Sequence, residues 1–251
     1  MVGRHERIAQ LADLDHPGLS IADLATGRGR QVRAMLAVAS DPVRVHAVDT
    51  ASSLDDEVLH DSRVRSVIAD LDEPLPFPDS TLDRVISLNV AEHLADPSGH
   101  LVECHRVLKP GGLLVLAHSD WDTALFASEN DALTRTLVNR FVSTVPTFAV
   151  RADGFMGRKL LGLAIASPFE VVTVDTWADC HRRFDQDSVG WKVAMGVLAA
   201  VRDDPQLTAQ ATRWVEALVG MAAQGRFLFT VTDVAIVLRR PEHSDEHPAA
   251  G

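Results

Sequence analysis

Ile21-Ala22-Asp23-Leu24-Ala25-Thr26-Gly27-Arg28-Gly29 decides the fold of this chain. A short apolar run ends in an acid, two glycines follow at alternate positions, and Gln31 to Val38 continues with helical character. That order reads as a strand, a tight turn and a helix start. Glycine lets the backbone approach a ligand closely, and the N–H groups of a helix start point out toward one. A second apolar run, Val43 to Val48, ends in Asp49, 22 residues after Gly27. An acid at that interval in a βαβ unit suits the hydroxyls of a ribose.

Outward from this turn, short continuous apolar runs alternate with helical stretches, the pattern of a parallel sheet whose strands are buried on both faces. Strands are expected at Ser20 to Leu24, Val43 to Asp49, Val64 to Ala69, Arg84 to Leu88 and Gly112 to His118, then at Glu170 to Asp175 and Phe227 to Arg239. Helices are expected at Arg4 to Leu14, Arg30 to Ala39, Ser53 to Leu59 and Pro97 to Leu108, with Pro110-Gly111-Gly112 stopping the last and turning into the fifth strand. Two insertions, 121–168 and 176–226, hold further helices near Glu129 to Phe141, Met156 to Ala164, Ser188 to Arg202 and Leu207 to Ala223. Ligands of open α/β sheets sit beyond the carboxyl ends of the strands, so the insertions after strands five and six are expected to form a lid over a second ligand. This divides the chain into a nucleotide-binding core over 1–120, core strands within 169–175 and 227–240, the two insertions, and a small polar tail at 241–251.

Composition narrows the function. The 251 residues are 46% hydrophobic and 24% charged, a globular balance, with a net charge of −11 that disfavours a nucleic-acid partner. The two cysteines, Cys104 and Cys180, cannot build a disulfide framework and fit a reducing cytoplasm. No run has the length of a membrane span, and the charged start Gly3-Arg4-His5-Glu6-Arg7 is unlike a signal peptide. The eleven histidines are scattered, with no metal-ligand spacing among them.

Two cofactor classes carry a ribose, and the glycines separate them. A dinucleotide fingerprint reads GxGxxG, but Val32 stands where the third glycine belongs, which argues against a nicotinamide dehydrogenase. The full series is Asp23-Leu-Ala-Thr-Gly27-Arg-Gly29, then Asp49, Ala69-Asp70-Leu71, Leu75-Pro-Phe-Pro-Asp-Ser-Thr-Leu-Asp83 and Leu108-Lys-Pro-Gly-Gly112. In this series the chain resembles the class I S-adenosylmethionine-dependent methyltransferases, in the small-molecule branch similar to the ubiquinone and menaquinone enzymes. The likeness is strong over Gly18 to His118. It implies a Rossmann-like α/β fold with a seven-stranded, mostly parallel sheet, helices on both faces, and an antiparallel last strand inserted between the fifth and sixth. It also implies S-adenosylmethionine as cofactor. Asp23 and the turn of Ala25, Thr26, Gly27 and Gly29 would face its methionine end, Asp49 its ribose, Asp70 its adenine amino group and Leu71 the ring beside it. Asn89 would position cofactor or substrate. The family usually has glycine where this chain has Ala25.

Methyl transfer is an in-line displacement at a carbon the sulfonium already activates, so an enzyme mainly aligns the acceptor and excludes water. A hydroxyl or acidic-carbon acceptor also profits from a base. His93, just after the fourth strand, is the first candidate; the plainer reading has it opening the next helix. After the fifth strand, Asp120, Trp121 and Asp122 put two carboxylates around an indole, suited to a cationic acceptor, with Asp120 the first choice. The plainer reading is a solvated loop. In Asp153-Gly-Phe-Met-Gly-Arg158, Phe155 offers an apolar contact and Arg158 a partner for a substrate carboxylate, against a simple turn and basic first helical turn. The expectation is methylation of a small-molecule acceptor in specialised metabolism by a cytoplasmic enzyme whose lid helices could pair two copies. The alternative is a protein of the same fold that binds S-adenosylmethionine without transferring methyl, as a cyclase or a sensor.

Overall fold

The computed structural model describes residues 3–144 and 151–242. In chain order the elements are α1 (Arg4–Leu11), β1 (Ser20–Leu24), α2 (Arg30–Val38), β2 (Arg44–Asp49), α3 (Asp56–Leu59), β3 (Val64–Ile68), β4 (Leu82–Leu88), α4 (Pro97–Val107), β5 (Leu108–Phe126), α5 (Asp131–Val142), α6 (Met156–Ile165), β6 (Glu170–His181), α7 (Val189–Ala200), α8 (Pro205–Ala223) and β7 (Phe229–Arg239). The strand order is β3-β2-β1-β4-β5-β7-β6. None of the described helices is long and apolar enough to cross a membrane.

The chain divides into two compact units. One takes the described residues of Met1–Ala117, Leu160–Asp175 and Ala235–Gly251; the other takes His118–Lys159 and Thr176–Val234. The sequence placed insertions at 121–168 and 176–226.

In the first unit the short apolar runs become a parallel ladder. β1 pairs with β2 and β4, with Leu24 opposite Val48 on one side and Ser87 on the other. β3 lies outside β2, where Asp49 faces Ile68. Ile21, Ala22, Asp23 and Leu24 are all buried, which is why this strand reads as a continuous run without alternation. α2 starts from Gly29 and buries Val32 and Met35. The Asp96 side chain accepts the Gly99 N–H to cap α4, and Pro97 supplies the first helical residue.

The strand limits that depart furthest from the sequence reading belong to β5 and β6. Pro110-Gly111-Gly112 does not precede β5 but lies inside it. Leu82 faces Leu108 and Arg84 faces Leu113, so the extra residues bulge between two paired segments. Gly111 has φ +76°, and a Cβ on Gly112 would lie 2.8 Å from the Lys109 carbonyl, so this bulge requires its glycines. β5 also runs on past His118 to Phe126, and β6 past Asp175 to His181. In both cases polar residues at the strand midpoint, Ser119-Asp120 and Asp175-Thr176, hide the continuation. β7 runs unbroken through Thr232-Asp233, because the buried Asp233 carboxylate accepts the Ser119 hydroxyl at 2.7 Å.

β7 is antiparallel to β5. Near the start of β5, Gly111 N–H donates to the Arg240 carbonyl and Arg240 N–H to that of Gly112, both at 2.9 Å; after its end, Ala127 N–H donates to the Leu228 carbonyl at 2.8 Å. Arg240 also turns its guanidinium onto the His105, Arg106 and Leu108 carbonyls at the end of α4, where helix carbonyls lack intrahelical partners.

The second unit has its own aromatic core. The Phe126 ring meets Trp214 at 5.0 Å and Phe229 at 4.7 Å, and the Trp214 indole N–H donates to the Thr134 hydroxyl at 2.9 Å. The indole thus buries its ring and satisfies its one polar atom together.

Candidate functional site

The residues after β1 form the strained turn that the glycines imply. Ala25, Gly27 and Gly29 have φ of +56°, +53° and +81°. Left-handed backbone costs an ordinary residue about 1–2 kcal/mol and glycine little, so alanine at 25 is the one strained member. Gly29 is required twice over, since a Cβ there would lie 2.9 Å from Val58 Cγ1. At Gly27 a Cβ would meet no atom within 4 Å, so that side of the turn is open. Thr26 N–H donates to the Val48 carbonyl and Gly29 N–H to that of Thr26, both at 3.0 Å. The loop after β2 braces the turn: the Ser53 hydroxyl donates to the Gly27 carbonyl at 3.0 Å, and Arg28 and Arg33 both reach the Asp55 carboxylate.

Asp23 lies at the root of this turn and is 1% exposed. Thr26 Oγ1 donates to its carboxylate at 2.7 Å. Burial pushes its pKa up from 3.8 to about 7; the Thr26 bond opposes this and the neighbouring Asp49 charge adds to it. A buried acid in that state accommodates a cation better than an empty apolar wall would.

Asp49 is partly exposed and held from both sides. Gly27 N–H donates to one carboxylate oxygen and Thr50 N–H to the other, each at 2.8 Å. The Thr50 hydroxyl also donates to the second oxygen at 3.4 Å, and the oxygen held by Gly27 keeps a further lone pair, so the carboxylate is aimed but not saturated. Asp70 follows β3 and is exposed; it accepts the Asp72 N–H at 3.0 Å, with Leu71 half-buried beside it. Asn89 follows β4 with φ +56°, gives its N–H to the Ala117 carbonyl at 2.9 Å and accepts Arg4 Nη2 on its side-chain oxygen at 2.9 Å. Asp23, Asp49, Asp70 and Asn89 therefore end or follow β1, β2, β3 and β4, at one edge of a parallel sheet where ligands gather.

His93 stands in a turn before α4 and not in the helix; it is exposed, with Nε2 3.3 Å from the Glu92 carboxylate. In the second unit Asp120 is buried and its carboxylate accepts three N–H bonds from Arg158: the backbone at 3.0 Å, Nε at 2.7 Å and Nη2 at 2.8 Å. Asp122 takes Nη2 as well, at 2.8 Å. The Arg158 guanidinium lies 5.2 Å from the centre of the Phe155 ring, and Trp121 N–H donates to the Gly154 carbonyl at 2.9 Å. A Cβ on Gly157 would meet Asp120 at 2.8 Å. The two stretches that the sequence singled out separately, 120–122 and 153–158, are thus one cluster, and its acids hold its arginine.

Sequence reasoning missed Arg4, Gln31, Ser53 and Asp55. Their partners lie 22 to 85 residues away in the chain, and no periodicity links them.

Comparison with known proteins gives the site a context. Residues 22–116 match the family model described as a methyltransferase domain. A 37.1 kDa protein of transposon TN4556 from Streptomyces fradiae is 30% identical over 162 residues, covering 63% of this chain and 45% of that protein, so the chain spans about half of that relative's length. A methyltransferase of Mycolicibacterium vanbaalenii is 29% identical over 229 residues, 88% of this chain and 76% of its own. Among solved structures, a geranyl diphosphate methyltransferase in complex with SAM superposes with a TM-score of 0.53 at 16% identity, covering 94% of this chain and 84% of that one.

Proposed function

We propose, from the premise that the chain is a class I S-adenosylmethionine-dependent methyltransferase by domain family and fold, that it methylates a small-molecule acceptor. The observation that carries this reading is the open turn at Gly27 flanked by two fixed acids, the buried Asp23 and the pinned Asp49. S-adenosylmethionine, when bound, supplies a methyl group on a positively charged sulfur. Asp23 suits the ammonium of its methionine end, and Asp49 suits its ribose hydroxyls. Asp70 is assigned to the adenine amino group, with Leu71 against the ring. The turn amides and the backbone of Ala25 and Thr26 complete the cradle.

This chain's own residues then have two tasks, holding the acceptor and removing its proton. The acceptor atom gains positive charge as it donates a lone pair to the methyl carbon, so a hydroxyl or acidic carbon must shed a proton. His93 is assigned as the proton acceptor, oriented by Glu92. Asp120 is assigned to fix Arg158, and Arg158, Phe155, Trp121 and Asp122 to acceptor contact. A role in specialised metabolism belongs to the same proposal; the acidic net charge of −11 supports a small molecule over a nucleic acid.

The test is transfer of a labelled methyl group from S-adenosylmethionine to a panel of small hydroxyl, amine and acidic-carbon compounds. The proposal expects one class to become labelled and His93→Ala to lose that labelling while keeping cofactor affinity. Full activity in His93→Ala would remove the base. Cofactor binding with no labelled product in any class would favour a cyclase-like or sensing protein.

A further inference from the structure

The second unit carries a histidine that the methyl-transfer reading leaves without a task. From Asp175 onward β6 alternates half-buried and exposed positions, so Trp177, Asp179 and His181 share its covered face. His181 Nε2 stands 2.8 Å from the Asp179 carboxylate, with 25% of the histidine side chain and 17% of the aspartate side chain exposed. By comparison, His93 lies 3.3 Å from Glu92 at 39% exposure, and His16 lies 3.4 Å from Asp13 at 60%. Shielding from water strengthens a hydrogen bond, so the Asp179–His181 pair is the firmest of these three.

That bond also fixes which way the imidazole faces. An ionised carboxylate only accepts, so Nε2 donates, and the neutral ring then carries its lone pair on Nδ1. Nδ1 makes no hydrogen bond with any described residue. The neighbours of the ring are aromatic. It lies 5.9 Å from the Phe229 ring, and Phe184, the next aromatic residue in the chain, packs at 4.7 Å on Phe227 and at 5.1 Å on Trp191. Phe227 and Phe229 are buried, whereas Phe184 and Trp191 are half-buried. The start of α7 packs on the same two buried rings: a Cβ on Gly190 would lie 3.0 Å from Phe227 and 3.2 Å from Phe229. An apolar wall with one oriented polar atom is the make-up of a small-molecule site.

We propose that the Asp179–His181 pair is a recognition site for an apolar ring ligand that carries an O–H or N–H group. His181 Nδ1 accepts that hydrogen, and the half-buried aromatic side chains meet the ring. That this ligand is the methyl acceptor rests on the reading proposed above. Asp179 is a positioning residue, because it acts through the tautomer of His181. A site that presents a lone pair and no donor at this point selects ligands that donate. It rejects their methylated counterparts, which keep the ring and lack the hydrogen.

Nitrogen NMR of the histidine-labelled chain, with no cofactor added, tests this. The spectrum reads the tautomer. Titration with phenol and with indole, each paired with its methylated counterpart (anisole and N-methylindole), reads the selection. Wild type should show Nε2 protonated and Nδ1 bare, and phenol or indole should shift the Nδ1 signal of His181. Either should bind about 10-fold more tightly than its counterpart, the effect of one hydrogen bond to a shielded acceptor. His181→Phe keeps a ring against Phe229 and should erase the preference. Asp179→Asn releases the tautomer and should cut the preference while the urea midpoint holds. A protonated Nδ1 in wild type, an unmoved His181 signal with both donors, or equal affinity within each pair would overturn the site. So would equal weakening of both members of a pair in Asp179→Asn, which would make the acid a brace for the end of β6. Selective binding by a chain that takes up no S-adenosylmethionine would uphold the site and remove only its link to methyl transfer.

Discussion

Replacing Asp23 by Asn separates stability from ligand binding at the centre of the site. Asp23 titrates at about 7 in the folded chain against 3.8 for the exposed group, chiefly because burial disfavours its charge. Between those values the folded protein keeps a proton that the unfolded chain has released. Stability therefore falls as pH rises through that window, is unaffected by this group below pH 4, and carries the full penalty above pH 7. Three pH units at 1.36 kcal/mol each come to about 4 kcal/mol. Asn keeps the shape, cannot ionise and can still accept the Thr26 hydroxyl. Asp23→Asn should thus unfold at a higher urea concentration than wild type at pH 8, by a stability gain of up to about 4 kcal/mol, and should match wild type near pH 4. Urea titrations at unit pH intervals from 4 to 8 read this directly. The same variant should lose affinity for a cationic ligand, because the acid strained in the free protein is the one a cation relieves. A variant destabilised equally at every pH would refute the argument, since it would mean that Asp23 is ionised and satisfied by the protein alone.

The other expectations concern the turn and the core beneath it. Ala25→Gly removes a left-handed alanine and should stabilise the chain by about 1 kcal/mol, seen as a higher melting temperature; no gain would mean the turn is relaxed. Asp49→Ala should weaken S-adenosylmethionine binding by about 1.5–3 kcal/mol in calorimetry, and unchanged affinity in a folded variant would sink the ribose assignment. His100 is buried 3.3 Å from the Ser87 hydroxyl and 3.7 Å from Cys104 Sγ, and burial lowers its pKa from 6.5 to about 4. The unfolded chain takes up this proton first, so stability should fall by about 3 kcal/mol as pH drops from 6.5 to 4. His100→Gln should flatten that acid limb in denaturant titrations; an unchanged limb would place the titrating group elsewhere.

Much of the fold was legible because its signals are local. Strand, turn and helix around Gly27 lie within one short stretch, and the buried strands announce themselves as continuous apolar runs. The end of β5 was missed because polar residues enter it for a tertiary reason: Ser119 pairs with Asp233 of β7 and looks like a break when read singly. The antiparallel β7 rested on resemblance alone until the bonds of Gly111, Arg240 and Ala127 gave its direction. In the candidate site, sequence reasoning singled out the residues of the glycine turn and Asp49 at its fixed interval, and the structure brings Gly27 and Asp49 into contact. It did not single out their supports. Arg4 lies 85 residues from its partner Asn89 and was not a candidate at all, while Asp120 and Arg158 lie 38 apart and looked like independent ones. Sequence named Asp120 and Arg158 as separate contacts; the structure joins them as an ion pair.

Calorimetric titration of the purified protein with S-adenosylmethionine, S-adenosylhomocysteine and NAD, one at a time, tests the central claim most directly. The account predicts micromolar binding of both adenosyl ligands and none of NAD. Failure of both adenosyl ligands to bind, or binding of NAD in their place, would contradict it.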